Sequence, residues 1–185
     1  TGDYDVVITE IGGTVGDIES LPYVESVRQM MWEFPEDCLV IHLTLVPYLA
    51  AAGELKTKPT QHSVKALLEV GVQPDILVCR TEHHLDKNIR NKIAKFCNVT
   101  PKSVIESIDA KSIYEVPLLM QEEELDKLVL EKLNLLSKDA PDLDKWKDFL
   151  NRLDNPKSEV NIGLVGKYIE LKDSYKSIIE SFIII

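Results

Sequence analysis

The chain has 185 residues, of which 44% are hydrophobic and 28% are charged, and its net charge is −10. This length allows one or two domains with a sizeable core, and the composition is typical of a soluble globular protein. The acidic balance argues against nonspecific binding to nucleic acid, and no apolar run approaches the ~20 residues needed to span a membrane. We therefore predict a cytoplasmic protein that binds neither nucleic acid nor membranes.

The first 115 or so residues alternate short apolar runs with amphipathic stretches, which predicts strands alternating with helices. The predicted strands are Asp5–Thr9, Cys38–Leu45, Asp75–Cys79 and Val104–Ser107. The predicted helices are Ser20–Phe34, Pro59–Glu69 (ended by Gly71) and Leu85–Cys97. This order indicates an α/β fold with a mostly parallel sheet flanked by helices, in which ligands bind beyond the carboxyl ends of the strands.

The pattern changes after Pro117. A charged helix is predicted over Leu118–Leu133, a turn-rich break over Asn134–Leu143, a short helix over Lys145–Leu153 and a loop at Asn155–Ser158. A strand at Val160–Val165 and a helix from Asp173 then predict the first β-α unit of a second α/β domain. Because the first predicted core strand starts so close to Thr1, we expect the protein to extend upstream.

The cysteines and histidines do not predict disulfides or a zinc site. Cys38, Cys79 and Cys97 are widely spaced and lie in or beside apolar segments, as reduced core cysteines of cytosolic proteins do. His83 and His84 have no cysteine cluster near them in the sequence.

A glycine-rich turn with three carboxylates follows the first predicted strand. Glycines there let backbone N–H groups approach an anion, and Glu10, Asp17 and Glu19 surround the turn. Clustered carboxylates repel one another, so a bound cation would relieve them. The segment Glu10–Ser20 therefore predicts one side of a metal-nucleotide site.

A second polar segment precedes the helix predicted at Pro59. It contains two cations, two hydroxyls and an amide at a helix N-terminus, a place that favours anions: Lys56, Thr57, Lys58, Pro59, Thr60 and Gln61. Lysine supplies charge for a phosphate, and glutamine can both donate and accept hydrogen bonds at the edge of a base. A solvated loop with a threonine N-cap is the alternative, and Lys92 by itself is typical of a surface lysine.

Several long segments of the chain resemble the CTP synthases. They are Glu10–Ser20 with Leu21-Pro22-Tyr23, Leu45–Gln61, Gln73–Leu77, Ile93–Val99, Ser112-Ile113-Tyr114 and Gly163–Tyr175. The resemblance covers essentially the whole chain. It implies an enzyme in which a P-loop-NTPase-like synthetase (amidoligase) domain uses ATP to phosphorylate UTP, and ammonia then displaces the phosphate to give CTP. A class I glutamine amidotransferase domain releases that ammonia from glutamine.

The resemblance also implies boundaries and partners. Residues 1–135 match the C-terminal half of the synthetase domain, residues 136–158 the interdomain linker, and residues 159–185 the start of the glutaminase domain. The family is a homotetramer that requires Mg²⁺, with ATP as co-substrate and UTP or CTP as the pyrimidine nucleotide.

Individual residues match the family's functional positions. Glu10 matches its magnesium ligand, and Asp17, Ile18 and Glu19 match a segment that contacts the pyrimidine nucleotide. Further UTP/CTP contacts match Lys56, Thr57, Lys58, Pro59, Thr60, Gln61 and Lys92. Ile108, Asp109 and Ala110 fall at the adenine pocket of ATP, and Asp173 and Lys176 match positions near the interdomain interface. No residue of this chain matches a catalytic nucleophile.

Two family elements have no counterpart in these 185 residues, namely the glycine-rich phosphate loop with its lysine and the glutaminase triad. We therefore expect the isolated chain to be inactive. The end Phe182–Ile185 also departs from the family's usual sequence there. Two alternatives stay open: another P-loop-type ATP-dependent ligase, which should not need Lys56–Gln61, and a non-catalytic assembly fragment.

Overall fold

The computed structural model describes residues 4–135 and 140–184, and the chain divides into two compact units, residues 1–138 and 139–185. In the first unit, β1 (Ile41–Leu45), β4 (Ile76–Thr81) and β5 (Val104–Ile108) form a parallel sheet in the order β1-β4-β5. An antiparallel hairpin, β2 (Tyr48–Leu49) and β3 (Glu54–Leu55), leaves the end of β1. The predicted α/β class with a parallel sheet is confirmed.

Five helices of the first unit follow the apolar periodicity of the sequence. They are α1 (Leu21–Glu33), α2 (Lys58–Glu69), α3 (Lys87–Cys97), α4 (Val116–Glu122) and α5 (Leu125–Lys132). The helices predicted before Pro117 are confirmed within two residues at each end. Asp86 caps α3 by accepting a hydrogen bond from the Ile89 N–H, and Gly71 follows α2 with φ +82°.

The single helix predicted over Leu118–Leu133 is wrong, because two helices meet there at Glu123 and Glu124. Glu124 adopts a left-handed φ of +59°, which ends the first helical hydrogen-bond ladder. The Glu123 carboxylate accepts two hydrogen bonds from Arg90 of α3. This tertiary ion pair holds the chain at the break, and helical periodicity alone could not reveal it.

The core lies on both faces of β4. Leu77 and Cys79 pack toward α2 and α3 in one cluster with Val64 and Ile93, and all four side chains are buried. On the opposite face Ile76 packs with Ile105 of β5 and Leu128 of α5. Burial raises the pKa of the Cys79 thiol to about 12 and that of Cys97 to about 11, so both remain protonated. Core positions for these two cysteines are therefore confirmed, whereas Cys38 is only half-buried.

The strand predicted over Asp5–Thr9 is wrong. This segment has no regular secondary structure, and Val7 and Ile8 are 75% and 92% exposed. A strand of a parallel sheet needs a hydrogen-bonded neighbour. Among the residues that the structure describes, the parallel sheet holds β1, β4 and β5, and none of them pairs with this segment. The outer face of β1, with Leu43 at 74% exposure, is apolar and uncovered as well.

The second unit contains α6 (Asp144–Asp154), a 3-10 turn (Lys172–Tyr175) and α7 (Lys176–Ile184). The helices predicted here are confirmed. The strand predicted over Val160–Val165 is wrong, since the segment is irregular and Val165 is 97% exposed. Part of the predicted break at 134–143, residues 136–139, lies outside the described residues, and the predicted domain limits stay predictions. None of the described helices is long and apolar enough to cross a membrane.

Replacing one leucine in β4 and one in β1 should show that a buried leucine contributes more to stability than an exposed one. Leu77→Ala should lower the free energy of unfolding by about 2–5 kcal/mol, because the side chain is fully buried in β4. The matched control Leu43→Ala, in the adjacent strand but largely exposed, should cost under about 1 kcal/mol. Hydrogen exchange of the β4 amides measures both, and equal losses would contradict this description of the core.

Candidate functional site

The three parallel strands end at one edge of the sheet. In the register, Leu45 of β1 pairs with Arg80 of β4, and Thr81 of β4 pairs with Ile108 of β5. Two of the predicted segments, Lys56–Gln61 and residues 108–110, begin at this edge. Residues about 50 positions apart in the sequence therefore lie along the same edge of the sheet, on either side of β4.

One buried hydroxyl group and one backbone hydrogen bond hold the segment Lys56–Gln61 near the end of β1. Thr60, fully buried, donates from Oγ1 to the Leu45 carbonyl at 2.9 Å. Gln61 Nε2 donates to Thr57 Oγ1 at 3.0 Å, and the Lys56 N–H donates to the Pro47 carbonyl at 2.9 Å. The segment is thus held by polar contacts that leave Lys58 and Pro59 exposed at the start of α2.

The N-terminus of α2 lacks a side-chain cap. Thr57 occupies the N-cap position with an α-helical backbone, and its side chain makes no capping hydrogen bond. Its hydroxyl instead accepts the bond from Gln61. The threonine N-cap that the sequence left open as an alternative is therefore not formed. The partial positive charge of a helix N-terminus adds to the charge of the neighbouring lysines.

Lys92 of α3 lies within electrostatic reach of the hairpin. Glu54 of β3 accepts a hydrogen bond from Lys56 Nζ. The hydrogen bond from Lys56, its charge and, to a smaller extent, the charge of Lys92 lower the pKa of the Glu54 carboxyl. Two predicted pyrimidine-nucleotide contacts from different elements thus act on one carboxylate. The sequence prediction missed Glu54, although it lies inside the resembling segment Leu45–Gln61.

The predicted adenine segment is fixed to the end of β4. Ile108 is the last residue of β5, and the Asp109 N–H donates to the Thr81 carbonyl at 3.0 Å. Asp109 Oδ1 accepts a hydrogen bond from Arg80 Nε at 2.9 Å. Ala110 follows and is half-buried. The sequence prediction missed Arg80 as the partner of Asp109. Its position as the one charged residue in the strand Ile76–Thr81 could have indicated a role at the end of that strand.

A polar network of Glu106, Arg90, His84 and Glu123 lies next to this segment. Glu106 of β5, 6% exposed, accepts hydrogen bonds from the Leu85 N–H at 2.5 Å and from Arg90 at 3.3 Å, and pairs with His84 Nδ1 at 2.7 Å. Arg90 also donates to Glu123 at 2.6 and 2.9 Å. The network borders a cavity of about 210 Å³ whose wall includes Ile108. It joins α3, β5 and the end of α4 directly beneath the predicted adenine segment.

The segment Glu10–Ser20 forms a turn, but its carboxylates stay apart. Asp17 Oδ2 accepts a hydrogen bond from the Thr14 N–H at 3.1 Å, and Gly13 and Gly16 have φ of +87° and +104°. Glu10, Ile18 and Glu19 are exposed. Within residues 4–135 and 140–184, no three histidine, cysteine, aspartate or glutamate side chains are grouped closely enough to hold a metal ion.

Glu10 nevertheless has the donor chemistry that magnesium requires. Mg²⁺ binds oxygen ligands and commonly takes only one or two protein carboxylates, completing its shell with water and substrate phosphates. An exposed carboxylate therefore fits a partial magnesium site. In the second unit, Asp173 lies in the 3-10 turn and Lys176 begins α7, both exposed.

Comparison with known proteins gives a consistent result. The family model described as CTP synthase N-terminus matches residues 1–135. The chain is 69% identical over 184 residues to a protein named CTP synthase from Cytophaga hutchinsonii, and 68% identical over 183 residues to one from Christiangramia forsetii. A third, from Flavobacterium psychrophilum, is 67% identical over 184 residues. These alignments cover 98–99% of the chain but 34% of each relative, so the chain spans about a third of their length.

The ion pair between Arg90 and Glu123 should make stability depend on pH. Burial alone would raise the pKa of Glu123, but hydrogen bonds from Arg90 and the Glu106 N–H, with the charge of Arg90, hold it below its usual value. A depressed folded-state pKa adds stability above the unfolded-state pKa and loses it as pH falls through the folded-state pKa. Glu123→Gln should therefore cost about 1–3 kcal/mol near neutral pH, and this difference should shrink below about pH 4.

Denaturant unfolding of the wild type and of Glu123→Gln, near neutral pH and below about pH 4, measures this difference in stability. The control is Glu131→Gln, which removes the exposed partner of Lys102 and should change stability by under about 1 kcal/mol at either pH. A loss for Glu123→Gln that stays constant down to low pH would show that the ion pair does not stabilise the fold.

Proposed function

Because the chain belongs to the CTP synthase family, we propose that it supplies the pyrimidine-nucleotide-binding part of an enzyme that aminates UTP to CTP. In this reaction ATP phosphorylates the uracil O4, and ammonia released from glutamine displaces the phosphate. ATP, UTP or CTP, and glutamine are the proposed ligands of the whole enzyme, which we propose to be a cytoplasmic homotetramer.

The proposal rests mainly on the segment Lys56–Gln61 at the end of β1, which we call the cationic corner and whose backbone is held in place by hydrogen bonds. Thr57 and Thr60 are buried and hydrogen-bonded, so the segment Lys56–Gln61 has a defined backbone while its lysine side chains reach solvent. A triphosphate needs such a fixed array of positive charge, because rigid cations lose little entropy when the ligand binds. Lys92 on α3 adds a further positive charge near the same corner.

The end of β5, at the same edge of the sheet but on the other side of β4, is suited to a second nucleotide. Ile108, Asp109 and Ala110 leave β5 where the network of Glu106 and Arg90 holds the strand. Apolar and backbone groups there are suited to a flat base, and the Asp109 carboxylate can accept hydrogen bonds from an exocyclic amine. We assign this place to the adenine of ATP.

The segment Glu10–Ser20 completes the proposed assignment. Glu10 would hold Mg²⁺, which supplies charge neutralisation to the transferred phosphate when it is bound. The exposed turn at Asp17, Ile18 and Glu19 offers carboxylates for the hydroxyl and amide hydrogens of the pyrimidine nucleotide. Asp173 and Lys176 are proposed to lie near the boundary between the synthetase and glutaminase domains.

A lysine substitution on α2 tests the proposed nucleotide site. The experiment uses a full-length synthase in which these 185 residues replace the matching segment of the Cytophaga hutchinsonii relative. Lys58→Ala should raise the KM for UTP about 10- to 100-fold, because a charge-assisted contact to phosphate is lost. The matched control Lys65→Ala, on the same helix and paired with Glu69, should leave KM within about twofold.

Ligand preference separates this proposal from a ligase with a different substrate. Calorimetry should show UTP binding to the full-length protein, and binding of carboxylate acceptors without UTP binding would overturn the assignment. We also expect the 185 residues alone to form no CTP, and CTP formation by them would contradict that part of the proposal.

A further inference from the structure

The lysine at the start of the cationic corner already has an anionic partner. Glu54 and Lys56 are two residues apart at the end of the β2–β3 hairpin, so their side chains leave the backbone on the same side. Lys56 Nζ donates a hydrogen bond to Glu54 Oε1, and the two side chains are 39% and 59% exposed. The carboxylate thus lies in solvent, where a ligand can reach its partner.

The hairpin fixes this pair. Leu49 pairs with Glu54 and Tyr48 with Leu55, while Gly53, with φ +65°, forms the turn. The Lys56 N–H donates a hydrogen bond to the carbonyl of Pro47, the residue that precedes β2, so the chain is held on both sides of Glu54. The backbone of the hairpin therefore places the Glu54 side chain next to that of Lys56.

The same carboxylate offsets the charge of a second element. Lys92 on α3 interacts electrostatically with Glu54, although 38 positions separate them in the sequence. Without Glu54 the lysines at this corner would repel one another. A carboxylate oxygen and a phosphate oxygen offer a lysine the same kind of charged acceptor.

Resting on the proposed function, we propose that Glu54 is the built-in counter-ion of Lys56, and that the phosphates of UTP bind by taking its place. In the free protein the charge of Lys56 is then offset by Glu54, and a ligand must carry enough negative charge to displace the carboxylate. Uncharged nucleosides cannot do so. Glu54 thus competes with the phosphates of the nucleotide and sets their affinity, whereas it does not act on an uncharged nucleoside.

Substitution of Glu54 by its neutral isostere tests this role. In the same full-length protein, Glu54→Gln should tighten UTP binding about two- to fivefold, the range expected when an exposed ion pair no longer competes. Binding of uridine should not change, because uridine has no phosphate to exchange with the carboxylate. The salt dependence of UTP binding should become steeper, since the site gains net positive charge.

A purely structural role for Glu54 would give different readouts. The melting temperature should stay unchanged, since exposed ion pairs contribute little to stability. Glu69→Gln, which removes the exposed partner of Lys65 on α2, is the matched control and should alter neither UTP affinity nor its salt dependence. Calorimetry with UTP and uridine at two salt concentrations measures all of these effects.

Each other outcome decides against the proposal. Weaker or unchanged UTP binding in Glu54→Gln would overturn it, and equal tightening for UTP and uridine would show that no phosphate displaces the carboxylate. Failure of the proposed function is separate: Lys58→Ala would then leave UTP binding unaltered whatever Glu54→Gln does.

Discussion

Pairing of β4 with a parallel strand on each side is the constraint on which the rest of the first unit depends. Its register with β1 and β5 sets Arg80 beside Leu45 and Thr81 beside Ile108. Because the side chains of a strand alternate between faces, the same register sends Leu77 toward α2 and α3 and Ile76 toward α5. The ladder thus fixes both the core and the edge from which the candidate site is built.

The polar side chains at that edge are of two kinds. Buried ones form hydrogen bonds that keep the backbone in place, and exposed ones can bind a ligand. Thr57, Thr60 and Glu106 are buried and their side chains are hydrogen-bonded, which avoids the cost of an unpaired polar group in the interior. Lys58 and Lys92 are exposed. A fixed backbone that carries exposed lysines suits phosphate binding, because less conformational entropy is then lost when the ligand binds.

Arg90 links fold and site. Its guanidinium donates to Glu106, to Glu123 and to the carbonyls of Leu85 and Val104, so a single planar group with several donors joins three elements. Its contact with Glu123 lies at the point where α4 gives way to α5. This explains why a stretch with continuous helical character is divided, and why a prediction from local periodicity placed one helix there.

Much of the first unit could be predicted from its sequence. The helices before Pro117 and the strands at residues 41–45, 76–81 and 104–108 follow local apolar patterns, and local physics is sufficient where a pattern of 2.0 or 3.6 residues matches a buried face. The predictions failed at Asp5–Thr9 and Val160–Val165. Apolar, β-branched residues give those segments strand propensity, but a strand forms only where a neighbour supplies its hydrogen bonds.

By itself, the sequence determined the α/β class, the helices before Pro117 and the motifs, including the cationic segment Lys56–Gln61. Only the tertiary structure decided which charges meet. Arg80 pairs with Asp109, and Arg90 with Glu106 and Glu123. The reason is that charge pairing depends on distances of a few ångströms between side chains, and those distances are set by strand register and helix packing.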